Sequence, residues 1–134
     1  MPGPPQTLQE LSRPECLELL RTARFGRIGV SVDALPAIFP VYVTLLDDDI
    51  VFRTVPGTKL HAAANGAIVA VEVDRVDEGN GIGWSVLVRG IARELPDGPQ
   101  ATAAREQLDT TWIDGAGEHL VAVRTDLVTG RRLD

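Results

Sequence analysis

The pattern of apolar and polar positions changes from a helical period to a period of two near the start of the chain. Ser12 and Glu15 have the spacing of a capping box, so we predict a helix that begins there, continues to about Phe25 and ends at Gly26. Beyond it, apolar residues alternate with small or polar ones, which is typical of half-buried strands. The predicted strands are 28–32, 37–46, 50–54, 67–73, 83–95, 119–124 and 127–132.

Two short helices interrupt the strands. Thr58 is a suitable N-cap for the first, which runs to Asn65 and ends before a glycine, and 100–108 forms the second. Pro40 lies inside a strand and lacks an N–H group, so we expect an edge or a bulge there. Short turns favour an antiparallel sheet, and this number of strands around one core favours a barrel. Residues 1–10 are predicted to form a flexible Pro-rich arm, and 11–134 a single domain.

Composition narrows the classes of function. The chain of 134 residues is 44% apolar and carries 13 basic against 19 acidic residues, a net charge of −6. That balance argues against nucleic-acid binding and against attraction to an anionic membrane. The single cysteine, Cys16, excludes an intrachain disulfide. With no apolar run of 18 residues and no signal-peptide pattern, we expect a cytoplasmic protein that does not enter the membrane.

The clearest candidate for chemistry is the strand 50–54, which leads through Pro56 and Gly57 into a helix start. Free N–H groups at a helix start favour an anion. The hydroxyls of Thr54 and Thr58 can donate hydrogen bonds to this anion. Arg53 can make a bidentate contact with it, and Lys59 can add a positive point charge. From the residues alone, an anion site and a solvated strand–turn–helix are equally good interpretations.

Other motifs favour structural interpretations. The glycines of 79–83 lie between two strands and open no helix, so they indicate a hairpin turn and no dinucleotide site. The acidic run 47–49 indicates a solvated turn. His61 is expected to face water and His119 to lie at the surface, and two isolated histidines predict no metal site. Cys16 is interpreted as an inert apolar residue. Trp84 and Trp112 are interpreted first as core or interface anchors.

Taken in order, these motifs resemble a known family over residues 11–132. The chain is similar to the pyridoxamine 5'-phosphate oxidase-like flavin-binding split barrels, in the branch near the nitroimidazole-resistance flavoproteins. The motifs that carry the resemblance are Phe25-Gly26-Arg27-Ile28-Gly29, Phe39-Pro40-Val41, Ile50-Val51-Phe52-Arg53-Thr54, Gly57-Thr58-Lys59-Leu60, Val71-Glu72-Val73-Asp74 and Gly83-Trp84-Ser85-Val86.

The resemblance implies a mainly β fold, a six-stranded antiparallel split β-barrel with an N-terminal helix and two short helices. It also implies a homodimer that binds FMN between its subunits, with deazaflavin as the alternative cofactor. The implied ring contacts are Phe39, Pro40, Val41 and Tyr42; relatives often carry Asn-Tyr after Phe-Pro-Val, so the register at Tyr42 differs here. The implied phosphate ligands are Arg53, Thr54, Thr58 and Lys59. Trp84 and Ser85 are implied to reach the flavin from the partner chain.

The resemblance leaves several activities open. The first is an FMN-dependent oxidoreductase that transfers a hydride or electrons to a small-molecule acceptor. The second is a non-enzymatic flavin storage or sensor protein, and the third is a deazaflavin-dependent reductase. The basic and histidine residues that hold substrate in true pyridoxamine phosphate oxidases have no match at the C-terminal end of this chain, so we do not expect that activity. No catalytic side chain is predicted, because the cofactor carries the chemistry in flavin enzymes.

Overall fold

A computed structural model describes residues 8–108 and 118–133. Within them the chain forms nine strands and three helices, and the mainly β prediction is confirmed. Their order is β1 (Leu8–Leu11), α1 (Arg13–Thr22), β2 (Phe25–Val32), β3 (Leu35–Leu46), β4 (Asp49–Thr54), α2 (Lys59–Ala64), β5 (Ile68–Asp77), β6 (Ile82–Ile91), β7 (Arg93–Glu94), α3 (Pro99–Gln107), β8 (His119–Arg124) and β9 (Leu127–Leu133).

The strands form one antiparallel array in the order β1-β9-β6-β5-β2-β3-β4-β8-β7. Strand β3 joins its two halves, because residues 35–42 pair with β2 and residues 43–46 pair with β4. The count exceeds the six strands implied by the resemblance, and it exceeds the seven ranges predicted from the sequence pattern by two. The predicted strand 83–95 breaks at the buried Ala92, whose N–H and C=O groups bond to Ala67 and Gly66, so its end becomes the separate strand β7.

The other additional strand corrects the prediction of a loose arm at 1–10. Residues 8–11 pair with the end of β9, with Leu8 opposite Leu133 and Leu11 opposite Gly130. This pairing joins segments more than a hundred residues apart, which no local pattern reveals. The first seven residues of the predicted arm lie outside the described residues.

The predicted capping box at the start of α1 is present. Ser12 Oγ accepts from the N–H of Glu15 at 3.3 Å, and Glu15 Oε1 accepts from the N–H of Ser12 at 3.0 Å. The hydrogen bond that the Glu15 carboxylate accepts from the backbone N–H of Ser12 is the largest cause that lowers the pKa of Glu15 from its ordinary value. The helix ends at Thr22, before the predicted Phe25, and its buried Cys16 and Leu20 pack against the barrel core.

The prediction that Gly26 ends the helix is wrong, because Gly26 lies inside β2. A β-carbon at this position would stand 2.4 Å from the backbone oxygen of Glu72 and 2.7 Å from Cγ1 of Val73. Glycine is therefore required by the close approach of β5 and has no role in helix termination.

Of the two alternatives predicted for Pro40, an edge or a bulge, the structure has the edge. The N–H of Val43 donates to the C=O of Arg24 at 3.0 Å, and Pro40 pairs with Arg27 in the same unbroken register. Because hydrogen bonding alternates along an antiparallel pair, the peptide groups of Pro36, Ile38 and Pro40 face away from β2. Among the described residues of β3, β4 pairs only with 43–46, so this side of β3 is an open edge along 36–40.

The buried core fills the barrel, and a second cluster lies between β4, β8 and α3. Phe52, Ile50 and the valines of β5 and β6 belong to the first, while Val51 and Leu120 pack under Ala101 and Ala104 of α3 in the second. No helix in the described part of the chain is long and apolar enough to cross a membrane.

Candidate functional site

A cleft of about 580 Å³ opens between β3, the end of β4 and α2. We call it the β3–α2 cleft. Its lining consists of Phe25, Phe39, Pro40, Val41, Tyr42, Arg53, Thr54, Val55, Thr58, Lys59 and Leu60. Eight of the ten predicted cofactor-binding residues are among them, which brings the proposed ring contacts and the proposed phosphate ligands to one place. That these residues bind a cofactor stays a prediction.

Arg53 is the most unusual residue of the cleft, because its charged side chain is only 7% exposed. Its Nε lies 2.7 Å from Oε2 of Glu118, close but without the alignment of a hydrogen bond. Within residues 8–108 and 118–133, Nη1 and Nη2 have no hydrogen-bond acceptor. Buried polar groups are normally satisfied, and an anion is a partner whose chemistry would satisfy these donors of Arg53.

Thr58 differs from its predicted role as a donor to the anion. Its hydroxyl donates to the C=O of Val55 at 2.6 Å and accepts from the N–H of His61 at 3.2 Å, which makes it the N-cap of α2. A hydroxyl has a single proton, so Thr58 cannot also donate to a ligand in this arrangement. Its contribution is to shape the rim of the cleft. Lys59 beside it is exposed and can approach an anion from solvent.

The hydroxyl of Thr54 is also engaged, and its partner corrects the placement of His61. Thr54 is 2% exposed, and its Oγ1 lies 2.8 Å from Nδ1 of His61. The His61 ring also lies 5.0 Å from that of His119, centroid to centroid. His61 is therefore half-buried between these groups and does not face water as expected. His119, expected at the surface, is also half-buried, and its Nδ1 contacts Oε1 of Glu94.

The other end of the cleft is apolar. Three consecutive residues of β3 line this end: Phe39 is half-buried, Pro40 is exposed and Val41 is buried. Phe25 was not predicted as a lining residue, although it belongs to the first motif of the resemblance. Its ring packs edge-on against Tyr42, with centroids 5.3 Å apart and an interplanar angle of 74°. An aromatic residue at the first position of β2 was the signal for this contact.

Trp84 and Ser85 lie on β6 and do not line the β3–α2 cleft of the same chain. Trp84 packs partly against the core, between Arg75 of β5 and Arg132 of β9 in the strand register. The predicted role of both residues required a second chain, so it stays a prediction. Trp112, interpreted as an anchor, lies outside the described residues.

The face of the sheet formed by β2, β3, β5, β6 and β9 that points away from the core carries several exposed apolar side chains. Strand β5 buries Val69, Val71 and Val73 on one side and leaves Ile68 77% exposed on the other. The large apolar residues of this outer sheet face that are more than 60% exposed are Ile38, Ile68, Val76, Ile91 and Leu127. Exposed apolar patches of this kind mark interaction surfaces.

An ion cluster lies at the centre of the outer sheet face. Arg27 Nη1 contacts Glu72 at 3.2 Å and Asp74 at 3.1 Å, so two carboxylates share one guanidinium. Burial, followed by the neighbouring Asp74, raises the pKa of Glu72 above its ordinary value of 4.5. Because the folded chain then holds a proton more tightly than the unfolded chain, ionisation of Glu72 lowers stability as pH rises above 4.5.

Glu72→Gln is therefore expected to raise the stability relative to wild type at pH 7, and this advantage should disappear near pH 4. The gain should be only a few tenths of a kcal/mol, because the group is partly solvated. Urea unfolding across this pH range measures it, with Glu78→Gln in an exposed turn as the control for removal of one negative charge. A gain that is the same at both pH values would contradict the assigned cause.

Comparisons with known proteins agree with this fold. The family model described as pyridoxamine 5'-phosphate oxidase matches residues 12–132. The FAD binding protein from Mycobacterium smegmatis is 36% identical, with coverage of 94% of this chain and 98% of that one and a TM-score of 0.73. An FAD-binding protein from Mesorhizobium loti is 28% identical, with coverage of 97% and 99% and a TM-score of 0.82.

A third structure bears on the predicted branch. A 5-nitroimidazole antibiotic resistance protein from Bacteroides thetaiotaomicron covers 97% of this chain and 90% of its own, with a TM-score of 0.72. Its identity of 13% makes this a likeness of fold alone.

Proposed function

The chain belongs to the pyridoxamine 5'-phosphate oxidase family, and from that premise we propose that the β3–α2 cleft binds a flavin nucleotide. The observation that carries the proposal is the buried guanidinium of Arg53, whose two Nη atoms lack an acceptor among the described residues. An anionic group is the ligand chemistry that satisfies them. The named FAD-binding relatives, at 36% and 28% identity, support a flavin as the source of that anion.

The residues present fit the two parts of such a ligand. Arg53 would hold the phosphate next to the ribityl chain, with Lys59 adding charge from the rim. Phe39, Pro40 and Val41 would lie along the ring, since ligand clefts combine apolar walls with a few placed polar groups. We propose FMN as the moiety in the cleft. Because this moiety is also part of FAD, a binding experiment has to distinguish FMN from FAD as the ligand.

We further propose a homodimer formed through the outer sheet face. Ile68 and Ile91 are directly paired on β5 and β6, and both are exposed in the single chain. A second copy would cover them, and it would bring Trp84 and Ser85 of one chain toward the cleft of the other. Because β3 belongs both to this face and to the cleft, dimer formation and ligand binding would share one strand.

For the activity, we propose an oxidoreductase that uses a small-molecule acceptor. A bound flavin supplies hydride or electron transfer. The side chains described in the cleft offer no pair of acids and no nucleophile with a base, so their role would be to bind, orient and exclude water. The cleft would hold the phosphate at one end and leave the exposed Pro40 end open to an acceptor.

Titration of the purified protein with FMN, FAD, riboflavin and deazaflavin, followed by absorbance and fluorescence, tests the proposal. FMN is expected to bind about 10- to 150-fold more tightly than riboflavin, which lacks the phosphate. Light scattering should give the mass of two chains. Equal affinities for FMN and riboflavin would contradict the phosphate site, and bound flavin that NAD(P)H cannot reduce, with or without nitro or quinone acceptors, would favour storage over turnover.

A further inference from the structure

Glu118 is a buried carboxylate that does not line the β3–α2 cleft but contacts the one residue that dominates it. Its side chain is 7% exposed and lies just before β8, behind Arg53. Oε2 is 2.7 Å from Nε of Arg53, and Oε1 is 3.6 Å from Nε of Arg105 on α3. No local pattern indicated this contact, because 65 positions separate Glu118 from Arg53.

The three side chains form a cluster in which the buried carboxylate lies between two arginines. A buried carboxylate is costly unless charged partners surround it, and here two arginines do so. Arg105 has a further partner, the exposed Asp97, at 3.4 Å, whereas Arg53 contacts only Glu118 among the described carboxylates. The cluster therefore offsets the cost of burying Glu118, while Nη1 and Nη2 of the arginine in the cleft have no acceptor among the described residues.

The contact between Glu118 and Arg53 involves only one of the three nitrogen atoms of the guanidinium. Glu118 approaches Nε of Arg53, while Nη1 and Nη2 have no acceptor in the described part of the chain. An unrestrained arginine loses considerable rotamer freedom when it binds a ligand. A carboxylate fixed at Nε removes much of that freedom beforehand, so the two Nη atoms are preorganised for two oxygens of one anion.

We propose that Glu118 is a positioning residue that holds the Arg53 guanidinium in the orientation required by the flavin phosphate. This inference rests on the proposed function and extends it to a residue outside the cleft. It also predicts that removal of the Glu118 charge weakens phosphate binding, which is the opposite of the effect expected from charge repulsion alone. A negative charge behind the site repels a phosphate, so its removal would strengthen binding if charge alone decided the affinity.

The test compares Glu118→Gln with wild type in titrations with FMN and with riboflavin. We expect FMN affinity to fall roughly three- to tenfold, the cost of immobilising the freed arginine on binding. Riboflavin affinity should stay within about twofold, since riboflavin makes no use of the preorganised donors. Glu118→Asp, which keeps the charge but withdraws it by one methylene, is the second variant if the glutamine variant does not fold, with the same split expected.

The matched control is Asp97→Asn, because Asp97 also contacts Arg105, at 3.4 Å, but is 97% exposed and does not contact Arg53. This variant should bind FMN as wild type does. Unchanged or tighter FMN binding by the Glu118 variants would overturn the proposal, and so would an equal loss for FMN and riboflavin, which indicates general distortion. A wild-type protein that binds none of the flavins would instead contradict the proposed function itself.

Discussion

Arg53→Ala is expected to lower the affinity for FMN about 10- to 150-fold, which corresponds to the 1.5–3 kcal/mol of a hydrogen bond to a charged group. The reason is that Arg53 contributes the only buried guanidinium among the described residues of the cleft, with both Nη atoms open. Riboflavin affinity should change far less, because that ligand has no phosphate. Fluorescence titration of both ligands measures the difference.

Arg53→Ala also leaves Glu118 with Arg105 as its remaining partner, so some loss of folding stability is expected. Arg105→Ala is the matched control. Arg105 contacts Glu118 but does not line the cleft. The FMN affinity of this variant should stay within about twofold, because Glu118 keeps its closer contact with Arg53, at 2.7 Å against 3.6 Å, and an affinity change of that size is under about 0.5 kcal/mol. If both alanine variants lose FMN affinity equally, the phosphate assignment to Arg53 is wrong and destabilisation explains the effect.

Gly26→Ala is expected to lower the free energy of unfolding by about 3 kcal/mol or to prevent folding, the upper range for an overpacked core position. The added β-carbon would stand 2.4 Å from the backbone oxygen of Glu72, and a backbone atom paired between strands cannot move aside as a flexible side chain can. Urea unfolding followed by circular dichroism measures the change.

Gly29 provides the control on the same strand. A β-carbon there would meet Ala70 at 3.8 Å, an ordinary van der Waals distance, so Gly29→Ala should cost little or slightly stabilise β2. Similar losses for the two alanine variants would show that strand β2 does not tolerate side chains in general, and that the approach of β5 at Gly26 is not the cause.

Local patterns were sufficient for most of the fold. Alternating apolar residues identified the long strands, and the capping box of Ser12 and Glu15 identified the start of α1. The end of that helix was misplaced because Gly26 satisfies two rules at once: glycine is common after helices and also where strands approach closely. Only the position of Glu72, set by the sheet, decides between them.

For the site, the sequence identified the residues better than their roles. Arg53, Thr54 and Thr58 are close together in sequence, so their clustering was predictable from one strand and one helix start. Their hydrogen bonds were not. The proton of Thr58 is committed to Val55, and the position of His61 depends on the packing of its ring against the distant His119.

The open edge of β3 has a consequence for unwanted strand pairing between copies of this chain. Of residues 36, 38 and 40, whose peptide groups face that edge, Pro36 and Pro40 have no N–H, which leaves Ile38 as the single donor among these three. A foreign strand needs alternating donors and acceptors and would find few donors along 36–40, which disfavours edge-to-edge pairing. A planar ligand that donates hydrogen bonds faces no such obstacle, because the carbonyl oxygens remain available to it.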